Sequence, residues 1–396
     1  MRKPLDGVFV VELTTYWAGP SCGEWLRCLG ARVIKIETKK GDSTRVFGRT
    51  CGMPITEDEN PSFDLFNGGK EFVHMDLDNP EHERILHNML GKADIFLTSM
   101  RLKGLQKHKL DYDTIKDMYP KLVYGHATAY GSEPGPMSDL PGLDAVAFFA
   151  MNGIISDLPL DKDHTPICPP TGMGDVTSGM ALFAAIMTAM YNREQTGKGD
   201  YCASSLYGAG NWVTCAISNG TQYFNPWPRS KETQSPMGNA FLTKDGKYVQ
   251  MFVNEYNRYW PVFCKAFGIE DLMDDPRCND RAAINHNDFE GCRLLVKRCT
   301  EEALKRTADE IMDVLKAGNV PCTVLRGIGD KYKEPEQIEQ CLNNGYLGEI
   351  TYSASGKHIY QPQLPLFFRS VGVQNYAEQA KPMGADNEAV FAEFAE

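Results

Sequence analysis

The sequence has 396 residues, of which 42% are hydrophobic and 23% charged, with a net charge of -11 and a pI near 5.3. This composition is typical of a globular chain with two domains or one large α/β unit. The acidic balance argues against nucleic acid or an anionic membrane as a partner. No apolar run in the sequence approaches the roughly 18–20 residues that span a bilayer, and the N-terminus lacks a signal peptide's apolar core. We therefore expect a cytoplasmic protein.

Cysteine and histidine are dispersed along the chain, with twelve of the former and eight of the latter. The sequence has no C-x-x-C pair and no H-E-x-x-H pattern, and the closest cysteine spacings are Cys22/Cys28 and Cys292/Cys299. This scatter predicts reduced, partly buried thiols and no metal site.

The first third of the sequence alternates strand and helix patterns. Residues 8–13 form an apolar, β-branched strand pattern, Pro20 suits the first residue of a helix that ends near Leu29, and Arg32–Glu37 is a second strand pattern. Further strands are predicted at Ile95–Thr98 and 121–124, with helices at 82–90 and 112–118 between them. Such alternation predicts an α/β fold with a doubly wound, largely parallel sheet.

The second half begins with a long apolar helix pattern at residues 176–191, whose apolar side chains surround most of the helix and predict a central buried element. A Pro-rich polar stretch at 225–230 is typical of a domain boundary. Beyond it we predict a strand at 248–253, helices near 258–267, 292–299 and Ala308–Ala317, and strands at 348–352 and 366–370.

The first βα turn, residues 14–20, lies where a dinucleotide-binding fold carries G-x-G-x-x-G, and that fingerprint is absent. Glu37 alone is a weak substitute for the ribose-binding acid, so an NAD enzyme is disfavoured. The amides of Trp17, Ala18 and Gly19 at a helix start could bind an oxyanion or phosphate. Alternatively, the turn simply starts a helix with a packing aromatic residue.

Asp175 follows Gly172 and Gly174 and precedes the long apolar helix. An aspartate in this place could be an N-cap. It could also be a nucleophile, because a carboxylate at a helix N-terminus stays ionised and can attack a thioester carbonyl. The spacing alone does not distinguish the two roles.

Basic side chains follow two of the predicted strands, at the sheet edge where open α/β sheets bind ligands. They suit either a phosphate-rich ligand or a solvated surface. These residues are Lys39, Lys40, Arg45, Arg101, Lys103 and Lys107.

Several motifs, in the same order, resemble those of the family III CoA transferases. They include Lys-Pro-Leu-Asp-Gly at 3–7, Ala-Gly-Pro at 18–20, Gly-Ala-Arg-Val-Ile-Lys-Ile-Glu at 30–37, Gly-Asp-Ser-Thr-Arg at 41–45, Gly174–Asp175 and Thr-Gly-Lys-Gly at 196–199. The likeness extends from about residue 3 to residue 390.

The resemblance implies a large Rossmann-like domain at 1–224, a smaller α+β domain at 225–325 and a segment at 326–396 that returns to the large domain. It also implies an interlocked homodimer, and coenzyme A or acyl-CoA as substrate with no tightly bound cofactor. Asp175 matches the family's nucleophile, which forms an acyl-aspartyl anhydride and an aspartyl-CoA thioester. Positions that match CoA contacts are Trp17, Ala18, Thr38, Met75, Asp76, Ser99, Met100, Arg101, Lys107 and Asp144.

One subgroup is most similar, judged by residues 57–61, 67–70 and 140–150. Its members activate 2-hydroxy acids of the 2-hydroxyisocaproate or phenyllactate type during anaerobic amino-acid fermentation. Trp17 replaces the glutamine of formyl-CoA transferase, and residues 235–239 lack the full glycine-rich loop, which argues against oxalate or formate. Trp17, Phe148 and Phe149 suit a bulky apolar acyl group or a core position.

Two alternatives remain within reach of the same fold. An α-methylacyl-CoA racemase has histidine before the aspartate that Asp144 matches, whereas this chain has Leu143, which cannot transfer a proton. A non-catalytic acyl-CoA-binding protein is disfavoured by the presence of Asp175.

Overall fold

The computed structural model describes residues 2–158, 167, 169–223 and 230–396, without the side chains of 285–287. The chain divides into two compact units. The first unit comprises Met1–Ile154, Cys168–Asn219 and Glu334–Glu396, and the second comprises Ile155–Ile167 and Gly220–Lys333. The predicted boundary stretch, 225–230, lies outside the described residues apart from Ser230. The three predicted domain ranges stay predictions.

Six described strands of the first unit form a parallel sheet in the order β3-β2-β1-β4-β5-β6. Since the chain winds outward from β1 in one direction and from β4 in the other, the predicted doubly wound α/β class is confirmed. The strands are β1 (Phe9–Leu13), β2 (Arg32–Glu37), β3 (Glu71–His74), β4 (Ile95–Thr98), β5 (Val123–Thr128) and β6 (Tyr201–Ser205).

The α-helices of the described chain connect and cover these strands. They are α1 (Ala18–Cys28), α2 (Pro61–Asn67), α3 (Pro80–Lys92), α4 (Leu102–Lys107), α5 (Tyr112–Ile115), α6 (Ile154–Asp157), α7 (Met173–Thr196), α8 (Leu206–Val213), α9 (Cys215–Thr221), α10 (Tyr256–Phe267), α11 (His286–Ala303), α12 (Ala308–Ala317), α13 (Pro335–Asn343) and α14 (Asn387–Glu393). Helix α1 begins at Ala18, so the prediction that Pro20 is its first residue is wrong by two residues.

Both faces of the parallel sheet are buried, as a doubly wound fold requires. On one face Val10, Val33 and Leu97 pack with Leu26 of α1 and Ile186 of α7. On the other face a second cluster joins the sheet to α3 and α14, and it includes Val11, Ile34, Phe96, Leu86, Met89, Val390 and Phe394. The near-continuous apolar strands therefore have helices on either side.

Helix α7 packs on α1, β5 and β6, but it is not the fully buried element that its apolar sequence predicts. Its buried residues are Gly174, Ser178, Gly179, Leu182, Ile186 and Ala189. Met180 is 39% exposed and Tyr191 71%. By length and composition alone α7 could cross a membrane, contrary to the expectation from sequence, yet core helices pass the same test. Its packing on the sheet is that of a core helix.

The C-terminal part of the first unit covers the edge strand β3. Phe72 N–H donates to the carboxylate of Asp386 at 2.8 Å, and His74 N–H donates to the Asn387 side chain at 2.8 Å. These side chains satisfy backbone groups that an edge strand would otherwise expose. A hairpin of β10 (Leu347–Thr351) and β11 (His358–Pro362) precedes them. The predicted strand at 366–370 is wrong, because those residues form no strand.

The second unit contains an antiparallel sheet of β7 (Ala240–Leu242), β8 (Tyr248–Met251) and β9 (Cys322–Val324). Helices α10, α11 and α12 enclose a core with it, which includes Phe241, Trp260, Phe263, Leu295 and Ile311. Helix α12 has the limits predicted from the sequence. Thr307 and Glu310 form a reciprocal capping box at its start.

Gly179 brings α7 and α1 into close contact. A Cβ there would collide with Ser21 Oγ and lie 2.7 Å from the carbonyl oxygen of Ala18. We therefore expect Gly179→Ala to lower the free energy of unfolding by about 1–3 kcal/mol, through steric overlap. Gly91→Ala in α3 is the control, since its Cβ would make an ordinary contact 3.6 Å from Tyr119. The control should stabilise by up to about 1 kcal/mol. Urea denaturation of both variants gives the comparison, and equal stabilisation would contradict this packing.

Candidate active site

The candidate site lies at the carboxyl edge of the parallel sheet, where β1 and β4 are neighbours and their following loops diverge. This switch point is where open α/β sheets bind ligands. A hydrogen bond connects the two loops, from the Thr15 amide to Ser99 Oγ at 3.0 Å. The structure thus places Ser99 next to the first βα turn.

Trp17 is the N-cap residue of α1 and lies in an aromatic group. Its ring makes an edge contact with Phe47, with centroids 4.6 Å apart, and a tilted contact with Phe66 at 5.9 Å. The same ring covers Gly172, where a Cβ would lie 2.6 Å from Trp17 Cζ3. Trp17 therefore adjoins the start of α7, three residues before Asp175.

A distant carboxylate caps the N-terminus of α7. Gly172, the N-cap residue, has φ of 90°, which glycine adopts readily. Asp144 is 6% exposed and accepts hydrogen bonds from the amides of Gly172 at 2.6 Å and Gly174 at 2.9 Å. Asp175 is the third residue of the helix, so its interpretation as the N-cap is wrong. Asp144 performs that role.

Asp175 carries the clearest electrostatic signature at this helix start. Burial, together with the nearby charge of Asp144, raises the pKa of the Asp175 carboxyl to about 7. Burial also raises the pKa of Asp144, but the amides of Gly172 and Gly174 oppose that shift. Perturbed carboxyl pairs of this kind are concentrated at functional sites.

A π-helix at Asp144–Ala150 delivers the capping carboxylate. Isolated π-helical turns are often found at functional sites. Phe148, one turn after Asp144, would also overlap a Cβ on Gly174. Phe148 and Phe149 are 5% and 3% exposed, so both are packed against the site from within the protein.

Other predicted contact residues lie on the surface beyond β2, β3 and β4. Lys39 pairs with Asp76 at 2.7 Å, and Lys107 pairs with Asp78 at 2.8 Å. Both lysines therefore have acidic partners in this protein, and a bound phosphate would compete with these aspartates for the lysines. Thr38 is half-buried and turns the chain by accepting from the Gly41 amide at 2.7 Å.

The remaining predicted contacts differ in accessibility. Met75 is fully buried in the core, so only its backbone could contact a ligand. Arg101 is exposed, and among the described residues no ion pair of its guanidinium is found. The Met100 carbonyl lies 2.9 Å from His126 Nε2, while His126 Nδ1 lies 2.8 Å from the Tyr201 hydroxyl. Burial lowers the pKa of His126, so a neutral imidazole holds this loop.

Sequence reasoning missed Phe47, Phe66 and His126, and it did not predict that Asp144 caps α7. The assignment of Asp144 to CoA stays a prediction. In the sequence, Phe47 and Phe66 are only apolar residues near turns, and no pattern marks them as partners of Trp17. The contact of Asp144 with Gly172 and Gly174 spans about thirty residues, and no local spacing rule indicates it.

Residues 5–387 match the profile of CoA-transferase family III. The chain belongs to CoA-transferase family III. The match covers almost the whole chain and confirms the family that the motifs resemble.

Two characterised relatives cover nearly the full length. The chain is 36% identical to (R)-2-hydroxy-4-methylpentanoate CoA-transferase from Clostridioides difficile, over 98% of this chain and 97% of the relative. It is 33% identical to cinnamoyl-CoA:phenyllactate CoA-transferase from Clostridium sporogenes, over 96% and 91%. Family membership and these relatives show that the protein is a CoA-transferase that uses CoA thioesters.

The crystal structure of a CaiB/BaiF family protein from Brucella suis superposes with a TM-score of 0.82. It is 24% identical and both chains are covered completely. At that identity the likeness concerns the fold, which is the α/β architecture described above.

The raised pKa of Asp175 predicts a pH-dependent cost to stability. In the unfolded chain an aspartate ionises near pH 3.9, whereas in the folded protein Asp175 resists ionisation up to about pH 7. Stability is therefore lost as pH rises between these values and stays reduced above pH 7. We expect Asp175→Asn to have a higher Tm than the unmodified protein at pH 8, and the difference should shrink at pH 4.5.

Thermal scans at the two pH values test this expectation, with the exposed Asp113→Asn as the control. A Tm difference for Asp175→Asn that is the same at both pH values would mean that Asp175 is not desolvated as described.

Proposed function

We propose that this enzyme transfers CoA from an acyl-CoA to a 2-hydroxy acid through covalent intermediates on Asp175. The observation that carries the proposal is the half-buried carboxylate of Asp175 in the first turn of α7, with a pKa near 7, beside a second carboxylate that already occupies the helix amides. Desolvation makes an ionised carboxylate more basic and a better nucleophile than one in water.

The proposed reaction has four steps on one side chain. Asp175 attacks the thioester carbon of the donor, the C–S bond breaks, and CoA thiolate leaves a mixed anhydride on the enzyme. The thiolate then attacks the Asp175 carbonyl, releasing the donor acid and forming aspartyl-CoA thioester. The acceptor carboxylate then attacks the aspartyl thioester, so that CoA thiolate leaves and a second mixed anhydride forms. Finally, the thiolate attacks the acceptor's acyl carbon in this anhydride. The new acyl-CoA departs and Asp175 is free again.

The start of α7 supports these steps electrostatically. The N-terminal end of a helix favours negative charge, which develops on oxygen in each tetrahedral intermediate. Gly172 and Gly174 keep the region free of Cβ atoms, where side chains would overlap Trp17, Asp144 or Phe148. The two glycines therefore let these side chains pack directly against the backbone beside Asp175.

The relatives that match over most of the chain act, by name, on (R)-2-hydroxy-4-methylpentanoate and phenyllactate. These acids carry a branched or aromatic side chain. Trp17, Phe47 and Phe66 form an aromatic group beside Gly172 that suits such a side chain. We propose that the acceptor is a 2-hydroxy acid of this size, produced during anaerobic amino-acid fermentation.

The proposal includes a cytoplasmic homodimer. The described cysteines are all free, which fits a reducing compartment. The apolar helix α7 leaves Met180 and Tyr191 exposed, and Trp212 at the end of α8 is 75% exposed. Exposed apolar residues on neighbouring helices are typical of a surface that a second subunit covers.

The central test is CoA exchange between a labelled acid and an acyl-CoA. We expect Asp175→Asn to lose at least about 1,000-fold in kcat, because the covalent route is removed, while Asp113→Asn retains full activity. Reduction of the protein with borohydride in the presence of acyl-CoA should label the peptide that contains Asp175, as mass spectrometry would show. Exchange at the normal rate without the Asp175 carboxylate would refute the mechanism.

Two other functions give distinct results in the same assays. Deuterium uptake from heavy water into an enantiopure 2-methylacyl-CoA would indicate a racemase. Binding of acyl-CoA without exchange for any donor and acceptor pair would indicate a non-catalytic protein.

The dimer can be tested on α7. We expect Met180→Glu combined with Tyr191→Glu to shift the protein toward monomer in analytical ultracentrifugation, since charges would be buried in the proposed interface. Met118→Glu, at a position 55% exposed after α5, is the control and should leave the sedimentation unchanged. A monomeric unmodified protein would refute the dimer but not the chemistry.

A further inference from the structure

Four charged side chains are buried beneath the first βα turn, outside the chemistry proposed at Asp175. Glu12 lies on β1, Lys35 on β2, Asp42 shortly after β2, and Lys70 after α2. None of them is more than 3% exposed. Charges are rarely buried to this degree unless they have partners, so their contacts define what they do.

The four side chains form one chain of ion pairs. Lys35 Nζ lies 3.2 Å from Glu12 Oε1 and 3.0 Å from Asp42 Oδ2. Lys70 Nζ lies 2.8 Å from Glu12 Oε2. Two positive and two negative groups therefore balance each other, and we call them the buried ion network.

Three members of the buried ion network also bind the backbone of the turn above them. Lys35 donates to the carbonyl of Thr14 at 3.1 Å. Asp42 accepts from the amide of Tyr16 at 3.2 Å, and Lys70 donates to the carbonyl of Pro20 at 3.1 Å. The backbone is thus held on both sides of Trp17 and Ala18.

The turn contains a conformation that needs such support. Tyr16 has φ of +62°, in the left-handed region that non-glycine residues seldom adopt. Its side chain is 49% exposed, so packing around the ring does not enforce this conformation. A strained residue of this kind persists where surrounding contacts over-determine it, and such residues are concentrated at functional sites.

We propose that the buried ion network is a positioning device that presets the first βα turn for acyl-CoA. Glu12, Lys35, Asp42 and Lys70 are positioning residues, since they act through Trp17 and Ala18. This inference rests on the proposed function for the identity of the ligand. A buried ion pair is weak evidence for stability and is better explained by the conformation that it specifies.

The charge states of Lys35 and Asp42 agree with this role. Burial opposes the charge of Lys35, but Asp42 and Glu12 outweigh it and raise the Lys35 pKa. Burial likewise opposes the charge of Asp42, and Lys35 and the Thr44 amide outweigh it and lower the Asp42 pKa. Lys35 and Asp42 therefore stay ionised at neutral pH and retain their hold on the turn.

The test replaces one ion pair by apolar residues of similar volume, Lys35→Met with Asp42→Leu. The Glu12–Lys70 pair remains balanced, and apolar replacement of a whole buried pair is often tolerated by the fold. Hydrogen exchange of the amides at 17–23 should become at least about 10-fold faster, since the turn loses two of its three anchors. The KM for acyl-CoA should rise at least about 10-fold, with a smaller change in kcat, because ligand binding is no longer preorganised.

Two controls separate positioning from general damage. Lys35→Met with Asp42→Asn keeps an oxygen that accepts from the Tyr16 amide, so its exchange and KM should lie between those of the unmodified protein and of the apolar variant. Arg27→Met removes another buried cation, paired with Glu24 within α1, that is not among the anchors of the turn. Its KM should stay normal even if its Tm falls.

The inference is overturned if the apolar variant folds and both its hydrogen exchange at 17–23 and its KM for acyl-CoA equal those of the unmodified protein. If that variant does not fold, the Asn variant decides, and normal exchange and KM there would overturn the inference too. Failure of the proposed function is recognised separately. If the unmodified protein transfers no CoA, hydrogen exchange still reports whether the buried ion network holds the turn.

Discussion

The site depends on a helix terminus whose Gly172 and Gly174 amides bind Asp144 rather than the neighbouring Asp175. The amides of Gly172 and Gly174 donate hydrogen bonds to Asp144, and these bonds replace the water that burial removes from its carboxylate. Asp175 lies in the same turn but is left with burial and a neighbouring negative charge, so its pKa rises. A carboxyl group with a pKa near 7 is ionised at slightly alkaline pH, and its surroundings stabilise the anion less than water would. That is the state in which it can share electrons with an acyl carbon.

The remainder of the first unit places other groups around this terminus. Because β1 and β4 lie side by side while their loops diverge, the first βα turn and the loop at Ser99 meet at one edge of the sheet. Gly179 allows α1 and α7 to approach each other, which brings Trp17 over Gly172. Beneath the turn, a balanced set of buried charges holds its backbone on both sides of Trp17. Asp175 is thus positioned by helix packing, and the turn that carries Trp17 is held by buried ions.

Much of the fold follows from the sequence because buried parallel strands are apolar and β-branched. Strands β2 and β4 and helix α12 have the predicted limits, and β1 differs at one end. Strand β11 was not predicted, because His358–Pro362 is not a continuous apolar run, and the strand predicted at 366–370 is wrong. In the site, glycines before an aspartate at a helix start indicated Asp175. The cap from Asp144, the ion pairs of Lys39 and Lys107 and the buried ion network could not be predicted, since each joins residues far apart in the sequence.

A pKa near 7 would also suit Asp175 as a general base, so basicity alone does not separate CoA transfer from racemisation. The difference lies in the second group that each reaction needs. Inverting a carbon centre requires a proton donor opposite the base, and at the position where the racemases have histidine this chain has Leu143, which is 58% exposed. Asp144, bound to two amides as an acceptor, is occupied as a cap. Covalent transfer instead needs one carboxylate that can attack a carbonyl carbon, and Asp175 can supply it.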